Sequence, residues 1–401
     1  MNPDILSELI TRNDNKIVML VMDGLGGLPR PGSDMTELET AATPHMDRYA
    51  ERGVTGMLDP VSPGITPGSG PGHLALFGYN PLETLIGRGV LSALGVDFEL
   101  TGRDVAARLN FCTLAEDGTV ADRRAGRIAT DVNERLCKKI RENVTLDGVE
   151  YFLMTESEHR AVLVIRGDGL GGDINDTDPQ KTGLKPRRPE GEDSASEKTA
   201  ALVRSFLEQV EATLKDEHPA NMVLARGFAT FDPLPTMEQR YGLKSAAIAQ
   251  YPMYRGLARL VGMDVLERPG DYEGMFQQLK GNWDDYDFFF VHFKKTDSTG
   301  EDGDFEKKVR VIEEIDKWIG RLSEINPAVL ILTGDHSTPS VLKNHSWHPV
   351  PTVLYSAYCR PDRVTQYGES HCTAGGLGRM PTHHLMILAL ANALRLKKFG
   401  A

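Results

Sequence analysis

With 401 residues, 40% of them hydrophobic and 25% charged, the chain has the make-up of a soluble globular protein with room for two domains. A formal charge of −12 with no long basic run argues against a nucleic-acid partner held by phosphate neutralisation. Residues 1–16 lack a basic and apolar leader, no apolar run approaches a membrane span, and Cys112, Cys137, Cys359 and Cys372 form neither a C-x-x-C pair nor a disulfide framework, so a cytoplasmic protein with reduced thiols and no membrane partner is expected.

The apolar run 17–22 reads as a first strand buried on both faces, and Asp23 follows it at the head of the glycine-rich turn 23–27. Thr43 and Pro44 open a helix to about Arg52, as a cap with proline in the first turn does. The stretch Thr66-Pro-Gly-Ser-Gly-Pro-Gly-His73 cannot be regular before about Pro71, so a short helix is expected over 74–79 with Ser69 just before its N-terminus. From about 100 to 235 short or alternating apolar runs (105–112, 151–154, 161–165, 222–225) separated by charged turns predict an α+β insertion with its own antiparallel sheet. A capping box at Ser194-Ala-Ser-Glu197 starts a helix to about Lys215. Gly167-Asp-Gly-Leu-Gly-Gly172 looks like a dinucleotide fingerprint, but turn sequence follows it where a helix is required.

Beyond Leu243 an α/β rhythm resumes: a strand at 246–249, a helix at 253–260, the run Phe288-Phe-Phe-Val-His-Phe293 followed by Asp297, a helix over 304–325, the run 329–332 followed by Asp335-His336, and a closing helix over 382–396. The predicted organisation is a core (1–99 and 236–401) interrupted by an inserted domain (100–235). Three near-continuous apolar strands each deliver an acid at their carboxyl ends, where ligands bind in open parallel α/β sheets. One such acid is often only a turn former; three, with a histidine, suggest a metal centre. Asp23, Ser69, Asp297, Asp335, His336 and His345 thus contain the parts of a two-metal phosphoryl-transfer site, ligands together with a hydroxyl nucleophile. On local sequence alone Ser69 reads equally as a helix cap and as that nucleophile.

Taken together, Val21-Met-Asp-Gly-Leu-Gly-Gly27, Thr66 to His73 with Gly87-Arg-Gly89, Asp122-Arg-Arg-Ala-Gly-Arg127, His159-Arg160, Asp176-Thr-Asp-Pro179, Lys294-Lys-Thr-Asp297 and Gly334-Asp-His-Ser-Thr-Pro339 resemble the alkaline phosphatase superfamily and, within it, the archaeal-type cofactor-independent phosphoglycerate mutases. These motifs run over essentially the whole chain. The resemblance implies an alkaline-phosphatase-like α/β core with a mainly parallel sheet flanked by helices and an inserted α+β cap. It also implies one divalent ion on Asp23, Ser69, Asp335 and His336, and a second on Asp297, His345 and position 301. The family has histidine at that last position; this chain has Glu301, an oxygen ligand that favours manganese or magnesium over zinc, with cobalt a further candidate, unless it is a solvated acid at a helix start. From the cap the resemblance implies Arg123, Arg127, His159, Arg160 and Asp178, with Arg88 and Lys295 from the core, as substrate-gripping or proton-exchanging groups, which suits guanidinium chemistry. His73, His292 and His348 are expected at most to orient ligands.

The activity so implied is interconversion of 3-phosphoglycerate and 2-phosphoglycerate in glycolysis and gluconeogenesis, through a phosphoserine at Ser69 and without 2,3-bisphosphoglycerate. The cap would act as a lid that keeps water from the phosphoserine. Rival readings are a metal-dependent phosphatase or another phosphomutase on the same core, and a degenerate metal-binding homologue motivated by Glu301. The number of subunits is left open.

Overall fold

In a computed structural model that describes residues 3–400, the chain divides into two compact units, 1–85 with 235–401 and 86–234. The first unit contributes β1 (Ile17–Met22) and β2 (Val54–Asp59). The second contributes β3 (Asp104–Leu114), β4 (Val120–Asp122), β5 (Glu150–Ser157), β6 (Arg160–Arg166) and β7 (Met222–Thr230). The first then resumes with β8 (Ser245–Ile248), β9 (Asp264–Val265), β10 (Phe288–Phe293), β11 (Val329–Thr333), β12 (Val350–Ser356) and β13 (Gly378–Pro381).

The first unit is built on one eight-stranded sheet in the order β13-β2-β12-β11-β1-β10-β8-β9. Every pairing is parallel except those of β12, which runs antiparallel to both neighbours. β1 lies between β11 and β10 with Val21 opposite Thr333 and Met22 opposite Phe293. All three strands are buried on both faces, which is why they read as unbroken apolar runs. Val18, Leu20 and Met22 with Phe289, Val291, Leu330 and Leu332 pack on Met275 and Phe276 of helix Tyr272–Gly281 and on Val311, Ile312, Ile315 and Ile319 of helix Phe305–Gly320. Each such side chain contributes about 1.5–3 kcal/mol by leaving water. Asp304 caps the second of these helices by accepting from Lys307 N. Its buried stripe is apolar except at Lys308 and Asp316.

The second unit has an all-antiparallel sheet in the order β4-β3-β6-β5, with β7 pairing β3. Helices Thr130–Asn143 and Ser194–Leu214 complete its core, Leu136 and Ile140 of the first meeting Phe206 and Val210 of the second among Leu109, Phe111, Leu163 and Ile165.

Several boundaries differ from expectation. The short helix after the glycine-rich stretch is Ser69–Leu76, so Ser69 is its first residue and Gly68 its cap. Helix Arg88–Gly95, in the stretch expected to belong to the core, packs on the second unit's sheet, where a Cβ on Gly89 would meet the Ala106 carbonyl. The stretch 304–325 is an α-helix only to Gly320, and the closing helix is Leu385–Asn392 after a 3-10 turn at Thr382–His384. No helix follows Gly167–Gly172 before Ser194.

Candidate active site

Parallel alignment of β11, β1 and β10 brings the residues after each strand to one edge of the first unit's sheet. Asp23 directly follows β1 with its amide on Phe293 O (2.9 Å), Asp335 and His336 follow β11, and Asp297 lies in the first turn of helix Lys295–Asp302. Gly24 N donates to Asp335 Oδ1 (3.0 Å). Gly24 sits at φ +61° with Thr338 Oγ1 and Asp297 Oδ1 where a Cβ would be, so only glycine fits this turn.

Both Asp23 oxygens and Asp335 Oδ2 are buried without a hydrogen-bond partner. Around them stand cations and imidazoles at ion-pair range but poor hydrogen-bond geometry. His292 Nε2 and Lys294 Nζ lie 3.4 and 3.1 Å from Asp23 Oδ2, and His336 Nε2 lies 3.3 Å from Asp23 Oδ1 and 3.2 Å from Asp335 Oδ2. His73 Nδ1 lies 3.1 Å from Asp335 Oδ2. Burial alone would raise both carboxyls, yet His292, His336 and Lys294 hold Asp23 well below the ordinary range, and His336 and His73 bring Asp335 down. Burial would likewise lower His336, but Asp335 and Asp23 outweigh it and lift the imidazole to about 9. Buried carboxylates with unspent lone pairs cost several kcal/mol unless a cation shares them.

A second cluster shares His336. Asp297 Oδ1 accepts from Thr338 Oγ1 (2.7 Å) and faces His345 Nε2 (3.6 Å), and His345 stacks on His336 with ring centroids 3.6 Å apart. Because the Thr338 hydroxyl gives its proton to Asp297, it accepts from His336 Nδ1 (2.9 Å), which aims Nε2 at Asp23 and Asp335. His345 Nδ1 is anchored on Pro67 O (2.9 Å). Within each group, Asp23–Asp335–His336 and Asp297–His336–His345, the potential ligand atoms lie within 4.8 Å of one another. The oxygen and imidazole donors and the orphaned acceptors fit divalent cations. Ser69 Oγ is 3.4 Å from His336 Nε2, at a helix N-terminus. Helix Ser69–Leu76 reaches this position because Gly72 lets it approach the backbone of Asp335, whose O stands 2.4 Å from where a Cβ would be.

Glu301 stands outside both groups. It belongs to the last turn of helix Lys295–Asp302, not to a helix start; its side chain is 53% exposed and its Oε1 is 3.9 Å from His345 Nε2. Lys295 is exposed and lies over the Tyr272 ring at 5.3 Å. The preceding Lys294 instead reaches the site: its Nζ donates to Asp297 Oδ2 (2.5 Å) and Tyr254 OH (3.2 Å), with Asp23 Oδ2 beside it. The sequence offered Lys294 and Thr338 only as members of motifs, and Tyr254 not at all. The i, i+3 spacing of Lys294 and Asp297 on a helix would have pointed to the first. His348 contacts Ser346 Oγ.

In the second unit Arg123 makes a bidentate pair with buried Asp178 (2.8 and 2.7 Å) and bonds Gln180, while Arg226 NH1 lies 3.7 Å from Asp178. Burial would raise the Asp178 carboxyl, but Arg123 more than offsets it, so the group is a carboxylate. His159 is buried and pushed down to about 4, by desolvation first and then by Arg160, so its imidazole is neutral at pH 7. Arg127 is exposed, at φ +53°. Two arginines that sequence reasoning missed stand out: Arg108 pairs across the sheet with Arg226, and neighbouring Asn110 pairs with Arg160, so all share one face. Burial, and then Arg160, Arg226 and Arg88, press Arg108 below its ordinary value. The Nε atoms of Arg108, Arg160 and Arg226 are buried without a hydrogen-bond partner. Alternation of Arg108 and Asn110 with Leu109 and Phe111 carried the signal for this face.

Comparison with known proteins identifies the family. Residues 50–221 match the family described as 2,3-bisphosphoglycerate-independent phosphoglycerate mutase. The chain is 49% identical over 401 residues to a probable 2,3-bisphosphoglycerate-independent phosphoglycerate mutase of Thermus thermophilus, covering 99% of each chain, and 48% identical to one of Aquifex aeolicus, covering 99% and 100%. Its fold superposes on a cofactor-independent phosphoglycerate mutase from Thermoplasma acidophilum with TM-score 0.75 at 28% identity, over 94% of this chain and 100% of that one. On this likeness over nearly its full length, the chain belongs to the 2,3-bisphosphoglycerate-independent phosphoglycerate mutase family.

Proposed function

We propose that this protein interconverts 3-phosphoglycerate and 2-phosphoglycerate through a phosphoserine at Ser69, with two divalent cations and no diffusible bisphosphoglycerate. The observation that carries this reading is the position of Ser69 Oγ, 3.4 Å from the imidazole shared by two groups of buried ligands. Asp23, Asp335 and His336 would hold one ion with Ser69, and Asp297 and His345 the other, with Glu301 turning in to complete it. The ions, manganese by preference given the oxygen-rich donors, would supply positive charge to the nucleophile and to the phosphoryl oxygens.

The chain's own groups account for the rest. The helix N-terminus at Ser69 and the Lys294 ammonium favour the alkoxide and the charge that gathers on the transferred phosphoryl group. Ser69 Oγ bonds to phosphorus as the 3-oxygen of glycerate leaves; the glycerate 2-oxygen then attacks phosphoserine and frees Ser69. Arg88, Arg108, Arg160 and Arg226 suit a carboxylate that must be gripped while its hydroxyls exchange, and the unpartnered Nε atoms of Arg108, Arg160 and Arg226 are donors for it. Arg123 is committed to Asp178, so this pair sets the shape of the grip, and Arg127 remains free for a substrate oxygen. Neutral His159 is the group suited to take a hydroxyl proton. A cytosolic place in glycolysis and gluconeogenesis follows from this reading.

The test is conversion of 3-phosphoglycerate coupled to enolase, in chelated protein with and without manganese and with no bisphosphoglycerate. Metal-dependent turnover is expected, falling by at least about a thousandfold in Ser69→Ala. Phosphate release in place of 2-phosphoglycerate would make the protein a phosphatase; metal binding without either product, restored by Glu301→His, would make it a degenerate homologue.

A further inference from the structure

Lys308 is the one lysine among the described residues that is fully buried, and it does not neutralise a carboxylate by contact. It occupies the inner face of helix Phe305–Gly320, one turn before Ile312, where periodicity calls for an apolar residue. Its ammonium has three donors, and each finds a main-chain carbonyl: Gly24 O (2.9 Å), Gly26 O (3.3 Å) and Thr338 O (2.9 Å). These carbonyls belong to two turns that are remote in sequence. The first carries Asp23; the second carries Asp335, His336 and Thr338, whose hydroxyl joins His336 to Asp297.

The two turns also meet directly, where Gly24 N donates to Asp335 Oδ1 (3.0 Å). Thr338 N is shared between Gly24 O (3.3 Å) and Gly26 O (3.0 Å), and Leu25 and Gly26 make isolated bridges with Ser337. Three charge-assisted bonds from one ammonium add to these contacts and draw on carbonyls of both turns at once. Glu37 reinforces the same join from the other side, accepting from Ser340 N (2.7 Å), Ser340 Oγ (2.6 Å) and Leu28 N (3.2 Å). No apolar side chain could satisfy these carbonyls, and a buried carbonyl left without a donor is itself costly. The outlay of burying a cation thus has a structural return at one place only, the spacing of the carboxylate-bearing turns.

We propose that Lys308 is a positioning residue that clasps the turns after β1 and β11, so that Asp23, Asp335 and His336 stand at the separation a divalent ion requires. The inference rests on the two-cation reading above. Metal ligands held by orienting partners lose roughly 10–100-fold in affinity when those partners are removed, and the same loss is expected here although Lys308 is one step further out.

The experiment is manganese titration of the full chain by calorimetry, for the wild type, Lys308→Met and Lys308→Gln, each also melted in chelator. Tight binding to the wild type, weakened roughly 10–100-fold in Lys308→Met and less in Lys308→Gln, which keeps two donors, is the expected result. Methylammonium or ethylammonium should recover part of the affinity in Lys308→Ala. If the variants melt lower yet bind manganese as the wild type does, Lys308 merely stabilises the fold and the proposal fails; a folded Lys308→Gln keeps this decision available even if Lys308→Met does not fold. No binding by the wild type would instead sink the two-cation reading itself.

Discussion

Each unit of this protein buries a histidine among charges, and the two histidines are driven in opposite directions. In the first unit His336 sits within reach of Asp23 and Asp335 and is lifted to about 9; in the second His159 lies beside Arg160 and falls to about 4. Desolvation pushes both down; carboxylates reverse it at His336, whereas Arg160 adds to it at His159. One unit has gathered carboxylates that call for cations. The other has gathered guanidiniums that call for an anion.

The largest expected break in that contrast is on the arginine side. Arg160→Ala should lower kcat/KM for 3-phosphoglycerate by roughly 100-fold, about 3 kcal/mol for a charge-assisted pair, while manganese affinity stays as in the wild type. Steady-state kinetics with a parallel metal titration checks this, and equal losses in both would show that the two chemistries are not separable.

On the carboxylate side the contrast sharpens with pH. A metal ion takes neutral imidazole, so binding must displace the proton that Asp335 and Asp23 stabilise on His336. Manganese affinity should rise up to about tenfold per pH unit through neutrality and level off near pH 9. Calorimetry at pH 7.5 in two buffers of different ionisation enthalpy should record release of about one proton per protein. Flat affinity from pH 7 to 9 would mean that the neighbouring carboxylates do not govern this imidazole.

The smallest effect belongs to His159. Its folded value lies below that of an unfolded histidine, so the unfolded chain binds more protons as pH falls from about 6.5 to about 4, and stability is lost across that window. The loss is about 1–2 kcal/mol after allowance for solvent screening. His159→Gln should flatten the pH dependence of urea denaturation there without altering stability at pH 8.

Much of the candidate metal centre was legible from the chain because burial on both faces leaves an unbroken apolar run. β1, β10 and β11 were readable for that reason, and the acids after them were conspicuous. The residues that organise those acids were not. Helix Lys295–Asp302 has no apolar face, since Thr296, Asp297, Thr299 and Gly300 are what it buries, so the 3.6-residue pattern that betrays other helices is missing. Lys308 sits in a pattern that reads as amphipathic whether or not a lysine interrupts it. In the second unit Arg108 and Arg226 meet only through the pairing of β3 with β7, more than a hundred residues apart, and strand register is not written in either segment alone. β12 escaped because Pro351 and Thr352 break its apolar run.

The chain leaves the first unit after Leu85 and re-enters it at Pro235, and each unit closes a hydrophobic core of its own. The Tyr79 hydroxyl bonds the Pro235 carbonyl, so the departing and returning segments are fastened to each other on the first unit's side. Such an architecture is a socket. Everything between those two points can be exchanged without cutting any strand of the eight-stranded sheet.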